Sequence, residues 1–450
     1  MRHLKSISQL LVIGLLALPF ASFAQFSDSI ANFRHYDQRG INVFETPKQN
    51  NFVYSGLKVK LGAGFTQQFQ SLKHENTTAT NNTGTGSNRL YPLTPGFMTA
   101  QANLYLDVQL ADGITLNVSN YMSSRHHNEF WVKGGYIQFD KLPFKGQFAE
   151  NLMKIATIKV GHMEINYGDA HFRRSDGGHT FYNPFMESYI MDAFATEIGG
   201  EVYLKANGLF GMIGLTNGMI KGNVDSAYKT VADDVTKKSP SLYGKLGIDK
   251  MLQDNIRVRF AASYYHNGSN AGSGLTLYGG DRTGSNYQNV MEKGVPGALP
   301  ASTAVAFSGR FNPGFSKKVD AFMLNGFLKA GGFELFGTYE AAKGRTKNET
   351  ATRKASQFAV DGLYRIGKTE NLFIGARYNV AKARLANTTA ITYTGDVNVN
   401  RFAIAAGWYV SKNILLKGEI VNQKYEDFPS ADYRSGGKFK GFVIEASVGF

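Results

Sequence analysis

Between Met98 and Leu110 apolar and polar residues alternate without a break. Met98, Ala100, Ala102, Leu104, Leu106, Val108 and Leu110 share one face of an extended chain, and Thr99, Gln101, Asn103, Tyr105, Asp107 and Gln109 share the other. A period of two sustained this long dictates a strand with one apolar wall and one polar wall. The end of the chain repeats the pattern, with Phe442, Ile444, Ala446, Val448 and Phe450 opposite Gly441, Val443, Glu445, Ser447 and Gly449. Similar runs begin near Tyr54, Ile114, Phe130, Lys154, Glu197, Leu209, Ser241, Asn255, Lys318, Phe333, Ala355, Leu372, Asn398, Ile414 and Lys438, which makes about sixteen strands.

The connections alternate in length. Short ones fall at Ala111-Asp112-Gly113, Ala206-Asn207-Gly208, Gln253-Asp254, Gly331-Gly332, Lys368-Thr369-Glu370 and Ser411-Lys412-Asn413, with a longer one from Leu142 to Asn151. All are turn-forming chemistry. Between them lie long polar stretches near residues 69–97, 122–129, 164–195, 220–240, 268–316, 343–353, 384–397 and 427–437. Short turns on one side and long loops on the other are the pattern of a transmembrane barrel. A soluble sandwich has no reason to sort its loops by side, and a propeller would show a repeat of about 40 to 50 residues, which is absent from the sequence.

Composition agrees with an all-β transmembrane antiparallel barrel. The mean hydropathy is negative, yet Gly (50), Phe (33) and Tyr (23) are abundant. A barrel strand shows lipid only every second residue, so average hydropathy stays low while aromatics gather at the interfaces. Residues 1–24 read as a cleaved secretory signal: Arg2, His3 and Lys5 precede an apolar run from Leu10 to Phe20, and Ser22-Phe23-Ala24 places small residues where a peptidase cuts, leaving Gln25 first. The run is too short to span a bilayer as a helix. The absence of cysteine excludes lipid attachment, a disulfide scaffold, thiolate catalysis and Cys-ligated zinc. Residues 25–53 then form an N-terminal periplasmic segment, and 54–450 the barrel.

Signal peptide, loop alternation, strand number and the terminal Phe450 together resemble the sixteen-stranded bacterial outer-membrane porins and, more loosely, the phosphate-selective porin O and P group. The resemblance implies a water-filled lumen, passive diffusion of small hydrophilic solutes and ions, assembly as a homotrimer among outer-membrane lipid and lipopolysaccharide, and insertion by the barrel-assembly machinery. Phe450 would serve as its signal. In such porins the third long loop folds inward and sets the constriction; here that is about 164–195, where Asp169, His171, Arg173, Arg174 and Asp176 are followed by the apolar run Phe181 to Met186.

Strand register points Lys58, Lys60, Arg257 and Arg259 into the lumen, along with Lys159, Lys245, Arg365, Arg377, Arg401 and Lys417 and the acids Asp107, Glu201, Asp249, Glu334, Asp361, Glu419 and Glu445. A slip of one residue would put each of them in lipid, at a cost of roughly 2 to 4 kcal/mol near mid-bilayer for a basic residue. Of the 49 basic residues Arg2 and Lys5 leave with the signal, so 47 against 35 acidic gives a net charge of +12. This weakly favours anions, phosphate among them. The acids of the third loop allow the alternative of a transverse field, loop acids facing wall bases.

Two other classes stay in view. A barrel enzyme would need poised catalytic groups, but the sequence has no G-x-S-x-G elbow, H-E-x-x-H, P-loop or dinucleotide fingerprint, so no enzyme and no cofactor is expected. His162, Glu164, Asp169 and His171 are of metal-binding types but read as ordinary hydrogen-bonded pairs, so no metal is expected. A substrate-specific transporter would plug its lumen with residues 25–53, of which Arg34, His35, Tyr36 and Asp37 could enter; a simple tail is the plainer reading. The dispersed charges do not form a nucleic-acid-binding patch.

Overall fold

A computed structural model describes residues 25–26, 30–77, 88–123, 130–144, 146–224, 238–270, 274–280, 283, 285–294 and 307–450. Ala24 and the rest of the expected signal lie outside them. Sixteen strands form the wall: β1 Lys58–Glu75, β2 Gln101–Ala111, β3 Ile114–Ser123, β4 Phe130–Phe139, β5 Ala156–Glu164, β6 Thr196–Ala206, β7 Leu209–Thr216, β8 Ser241–Gln253, β9 Ile256–Asn267, β10 Lys318–Ala330, β11 Phe333–Arg345, β12 Arg353–Ile366, β13 Leu372–Ala383, β14 Val397–Ser411, β15 Ile414–Glu426 and β16 Lys438–Gly449. Each pairs antiparallel with the next, and β16 closes on β1 in the register Lys438–Glu75 to Gly449–Gly64. The wall therefore has no open edge, which is the condition for strands to cross a bilayer with every backbone group paired. Among the described residues no helix is long and apolar enough to cross; the one α-helix, α1 Gln147–Met153, sits in the turn before β5.

The strands predicted from periodicity are all present, the largest displacement of a start being Tyr54 against Lys58. The short turns follow their chemistry. Asn207 (φ 53°) and Gly208 (φ 79°) both occupy the left-handed region, as the tightest hairpin turn of a right-twisted ribbon requires. The alternation holds too: on β16, Phe442 and Ile444 are exposed to the outside while Val443, Glu445 and Ser447 are buried inside.

The lumen departs from expectation. Sixteen strands were expected to enclose open water, but three segments fill much of the interior. The third long loop turns inward after Glu164 and buries Phe181, Phe185, Met186, Ile190 and Met191 against the inner wall. The loop after β9 enters as well, with Tyr287, Val290, Met291 and Phe311 in the same cluster. The third segment corrects the plain-tail reading of residues 25–53: in the structure Phe44 is packed on Phe172, Phe327 and Phe336, and Tyr36 stacks on Tyr105 of β2 at 3.9 Å. Loop and segment carry more apolar side chains than a solvated chain would expose, and the interior of the barrel is where they leave water.

Candidate permeation site

A loop laid inside a barrel has no neighbouring strand to satisfy its backbone, and buried carbonyls must find donors elsewhere. The inward basic residues of the wall supply them. Arg377 of β13 pairs with Asp361 (2.7 Å) and donates to the Glu187 carbonyl (2.8 Å). Arg401 of β14 donates to the carbonyls of Ser188 (2.7 Å) and Gly309 (2.9 Å), joining two loops. Lys417 of β15 pairs with Glu445 (2.7 Å) and donates to the Asn183 carbonyl at 3.0 Å. These cations face inward as their register required, but they pin loops rather than line open water.

The third-loop charges behave in the same way. Asp169 is buried and reaches Lys245 of β8 (2.8 Å) and Arg259 of β9 (2.7 Å). Glu45, from the N-terminal segment, reaches the same two cations at 3.1 and 2.7 Å, so two acids from two inserted segments share two wall bases. Burial alone would raise the Glu45 carboxyl, but Lys245 and Arg259 outweigh it and hold the group well below the usual carboxylate range. Arg173 reverses the polarity: it pairs with Glu334 of β11 (2.7 Å), which also takes Arg365 (2.8 Å) and Asn42 (2.6 Å). Arg174 forks onto Asp192 of its own loop at 2.7 and 2.9 Å. Asp176 accepts from Lys133 of β4 and from Asn103 of β2 (2.8 Å). His171 is engaged by Glu164 and by Asn166 (2.9 Å).

The expected meeting of loop acids with wall bases is therefore found at Asp169 and Arg259. Lys245 meets Asp169 and Lys133 meets Asp176 in the same way, but the other three wall bases expected at this meeting do not face loop acids: Lys60 lies against Tyr36 (5.1 Å) and Lys58 against Phe52 (5.6 Å), both of the N-terminal segment, and Arg257 pairs with Asp249 (2.7 Å) on its own wall and donates to the Asn42 carbonyl (2.9 Å). Of the four residues of metal-binding type, His171 is engaged by Glu164 and Asp169 by wall cations; among the described residues no three metal-ligating side chains converge. Phe450 lies on the outer face, and its amide and carbonyl exchange hydrogen bonds with Ala63 of β1 (3.1 and 3.0 Å).

A cavity of about 260 Å3 is bounded by the inner faces of β3 to β6, by the N-terminal segment from Asn32 to Lys48, and by the third loop. Tyr36 and Tyr182, Phe172 and Phe194, and the bases Arg34, Lys133, Lys159 and Lys205 face it. Loop and N-terminal segment are tied together at its edge. The His179 imidazole, whose pKa burial lowers from the ordinary value, hydrogen-bonds the Tyr36 carbonyl at 2.7 Å, and Arg34 donates to the Phe172 carbonyl at 2.9 Å.

Three residues of this site escaped sequence reasoning. Lys205 shares the parity of Glu201 and Tyr203 and was legible. Lys133 was not, because a bulge between Val132 and Gly134, opposite Ser119 and Asn120, shifts the register and turns the lysine inward to Asp176. Lys48, which bonds to Asp140 at 3.2 Å, stands in a segment with no periodicity to place it.

A closed sixteen-strand barrel, apolar outside and charged within, defines a porin-like, multi-pass outer-membrane β-barrel. No protein-family model and no curated relative matches the chain. Among solved structures it is similar to the outer membrane channel DcaP of Acinetobacter baumannii (12% identity, 94% of this chain and 100% of that one, TM-score 0.48). It is also similar to OmpF of Salmonella typhi in complex with daunomycin (13%, 88% and 99%, 0.47) and to OmpT, an outer membrane protein of Vibrio cholerae (10%, 89% and 99%, 0.47).

Proposed function

We propose that this protein is a diffusion channel that passes small hydrophilic solutes and ions across the outer membrane without chemistry, as a homotrimer, with a weak preference for anions. The observation that carries this reading is the cavity along β3 to β6: among the described residues the inserted segments leave this space open against the wall, and polar and charged groups line it. Elsewhere several inward charges are spent on holding the loops, Arg377 with Asp361, Lys417 with Glu445 and Arg401 on loop carbonyls, so the charges a solute in this cavity would feel are chiefly those of this wall. In this reading the third loop and the N-terminal segment together set the constriction.

A plugged, substrate-specific transporter is the second reading, favoured by the packing of Phe44 and Tyr36 inside the barrel. One experiment separates the two. Purified protein in a planar bilayer is compared with a variant lacking residues 30–50, by single-channel conductance and by reversal potential across a KCl gradient. A steady conductance in the intact protein, larger in the deletion, is expected for the channel. Conductance in the deletion alone would establish the plug, and a potassium-favouring potential would remove the anion preference.

A further inference from the structure

The charges around the cavity do not balance. Its acids are all engaged: Glu45 by Lys245 and Arg259, Asp140 by Lys48, Asp176 by Lys133, and Glu164 by His171. Three of the bases have no such partner among the described residues. Lys159 lies over the rings of Tyr136 (5.0 Å) and Tyr203 (5.2 Å). Lys205 donates to the Thr46 carbonyl (2.6 Å) and lies 5.4 Å from the same Tyr203 ring. Arg34 is stacked on Tyr182 at 3.5 Å and bonds only carbonyls. Glu201 stands opposite Lys159 in the β5–β6 ladder, yet its oxygens accept from the Asn166 amide (2.8 Å), Tyr243 (3.0 Å) and Tyr203.

Two ammonium groups beside one tyrosine ring repel each other unless a negative charge lies between or near them. Ring faces and carbonyls stabilise each cation in part, and Glu45 and Asp140 act on Lys205 from beyond ion-pair distance, but both acids are already ion-paired to other bases and neither lysine has an acid of its own. Aromatic rings, Phe33, Phe172 and Phe194 among them, share the lining with these polar and charged groups. At about 260 Å3 the space is smaller than the ~300 Å3 at which ordinary ligand pockets begin.

We infer that this cavity is a binding site for a small organic anion with a carboxylate head and a ring body, the head held by Lys159 and Lys205 and the ring laid on the aromatic lining. A fully hydrated inorganic anion could use the charges but not the rings, so the class is set by the combination. The inference deepens the channel reading by naming a solute class, and it also stands as a binding claim without any conductance.

Calorimetric titration of the full, detergent-folded protein with benzoate, at low ionic strength, tests it. Saturable binding is expected, weakened about tenfold or more, equivalent to ~1.4 kcal/mol, in Lys159→Gln/Lys205→Gln and unchanged in Lys382→Gln, a side chain exposed on β13 far from the cavity. Heat-modifiable gel migration certifies that each variant is folded; if the double variant fails that check, Lys159→Gln alone carries the comparison. Equal binding of inorganic phosphate would overturn the ring body, and no benzoate binding, or binding indifferent to both lysines, would overturn the site. Binding without conductance would sink the channel reading and leave the site intact.

Discussion

Arg173 shows how much of this interior depends on single charges. Its guanidinium and that of Arg365 share the Glu334 carboxylate, and all three side chains are almost fully buried. Removing one partner of such a group leaves an uncompensated charge, at a cost of about 3 to 5 kcal/mol. Arg173 thus ties the third loop to the β11 wall, and Arg174 staples the loop to itself through Asp192, which Arg310 from the loop after β9 also grips at 3.0 Å. Replacing Arg173 and Arg174 together by Ala should therefore free the loop, giving a larger and noisier single-channel conductance with the barrel still formed. Conductance and ion preference both matching the parent would remove the third loop from the constriction. At this scale the sequence was informative about direction and poor about partners. Parity placed Arg259, Glu334 and Arg365 inside, but no pattern on the chain could pair Arg173 with Glu334, because the encounter is created by a loop whose path has no period.

Elements differ in what holds them. The strands are held by ladders that the sequence pattern anticipates, whereas the inserted loops are held by side chains reaching from the wall. The loop after β9 is held in addition by contacts within itself and to another loop. Ser308 donates to Glu292 at 2.9 Å, and the Glu292 carbonyl accepts from Tyr91 N–H at 2.9 Å. Burial pushes the Glu292 carboxyl up to about 7, the Ser308 hydrogen bond and Arg434 offsetting only part of it. Since the folded value lies above the ordinary one, the contribution of this group to loop stability is complete below the usual carboxyl range. It is lost as pH rises through about 7. Amide hydrogen exchange in residues 285–294 should accordingly speed up between pH 5 and pH 8, after correction for intrinsic rates, and Glu292→Gln should abolish that change. A pH-independent protection in the parent protein would show that the carboxyl is not coupled to the loop.

For the whole molecule, closure is the decisive event. β16 meets β1 across a ladder of twelve residue pairs, and Phe450 adds two further backbone hydrogen bonds to Ala63 while its ring faces outward. Until that seam forms, β1 and β16 present unpaired edges in a medium with no water to satisfy them. Deleting Phe450 should lower the yield of folded, heat-modifiable barrel in the membrane fraction, and Phe450→Trp, which keeps the backbone and an aromatic ring, should restore it. Full yield from the deletion would separate the terminal residue from assembly.

Architecture was settled by the sequence alone. An alternation of apolar and polar residues leaves a strand no choice of face once one side meets lipid, and turn chemistry set which connections are tight; strand number, register and the inward set of charges all follow from local pattern and from the cost of a charge in hydrocarbon. What fills the lumen was decided only in three dimensions. The N-terminal segment and the inserted loops have apolar residues to bury but no period, so their paths depend on complementarity with a wall that exists only after closure. The same holds for the Lys133 bulge, and for the arrangement that leaves Lys159 and Lys205 without ion-pair partners: Glu201 is opposite Lys159 in register, but its strand neighbour Tyr203 and, brought in by the fold, Asn166 and Tyr243 take its oxygens first.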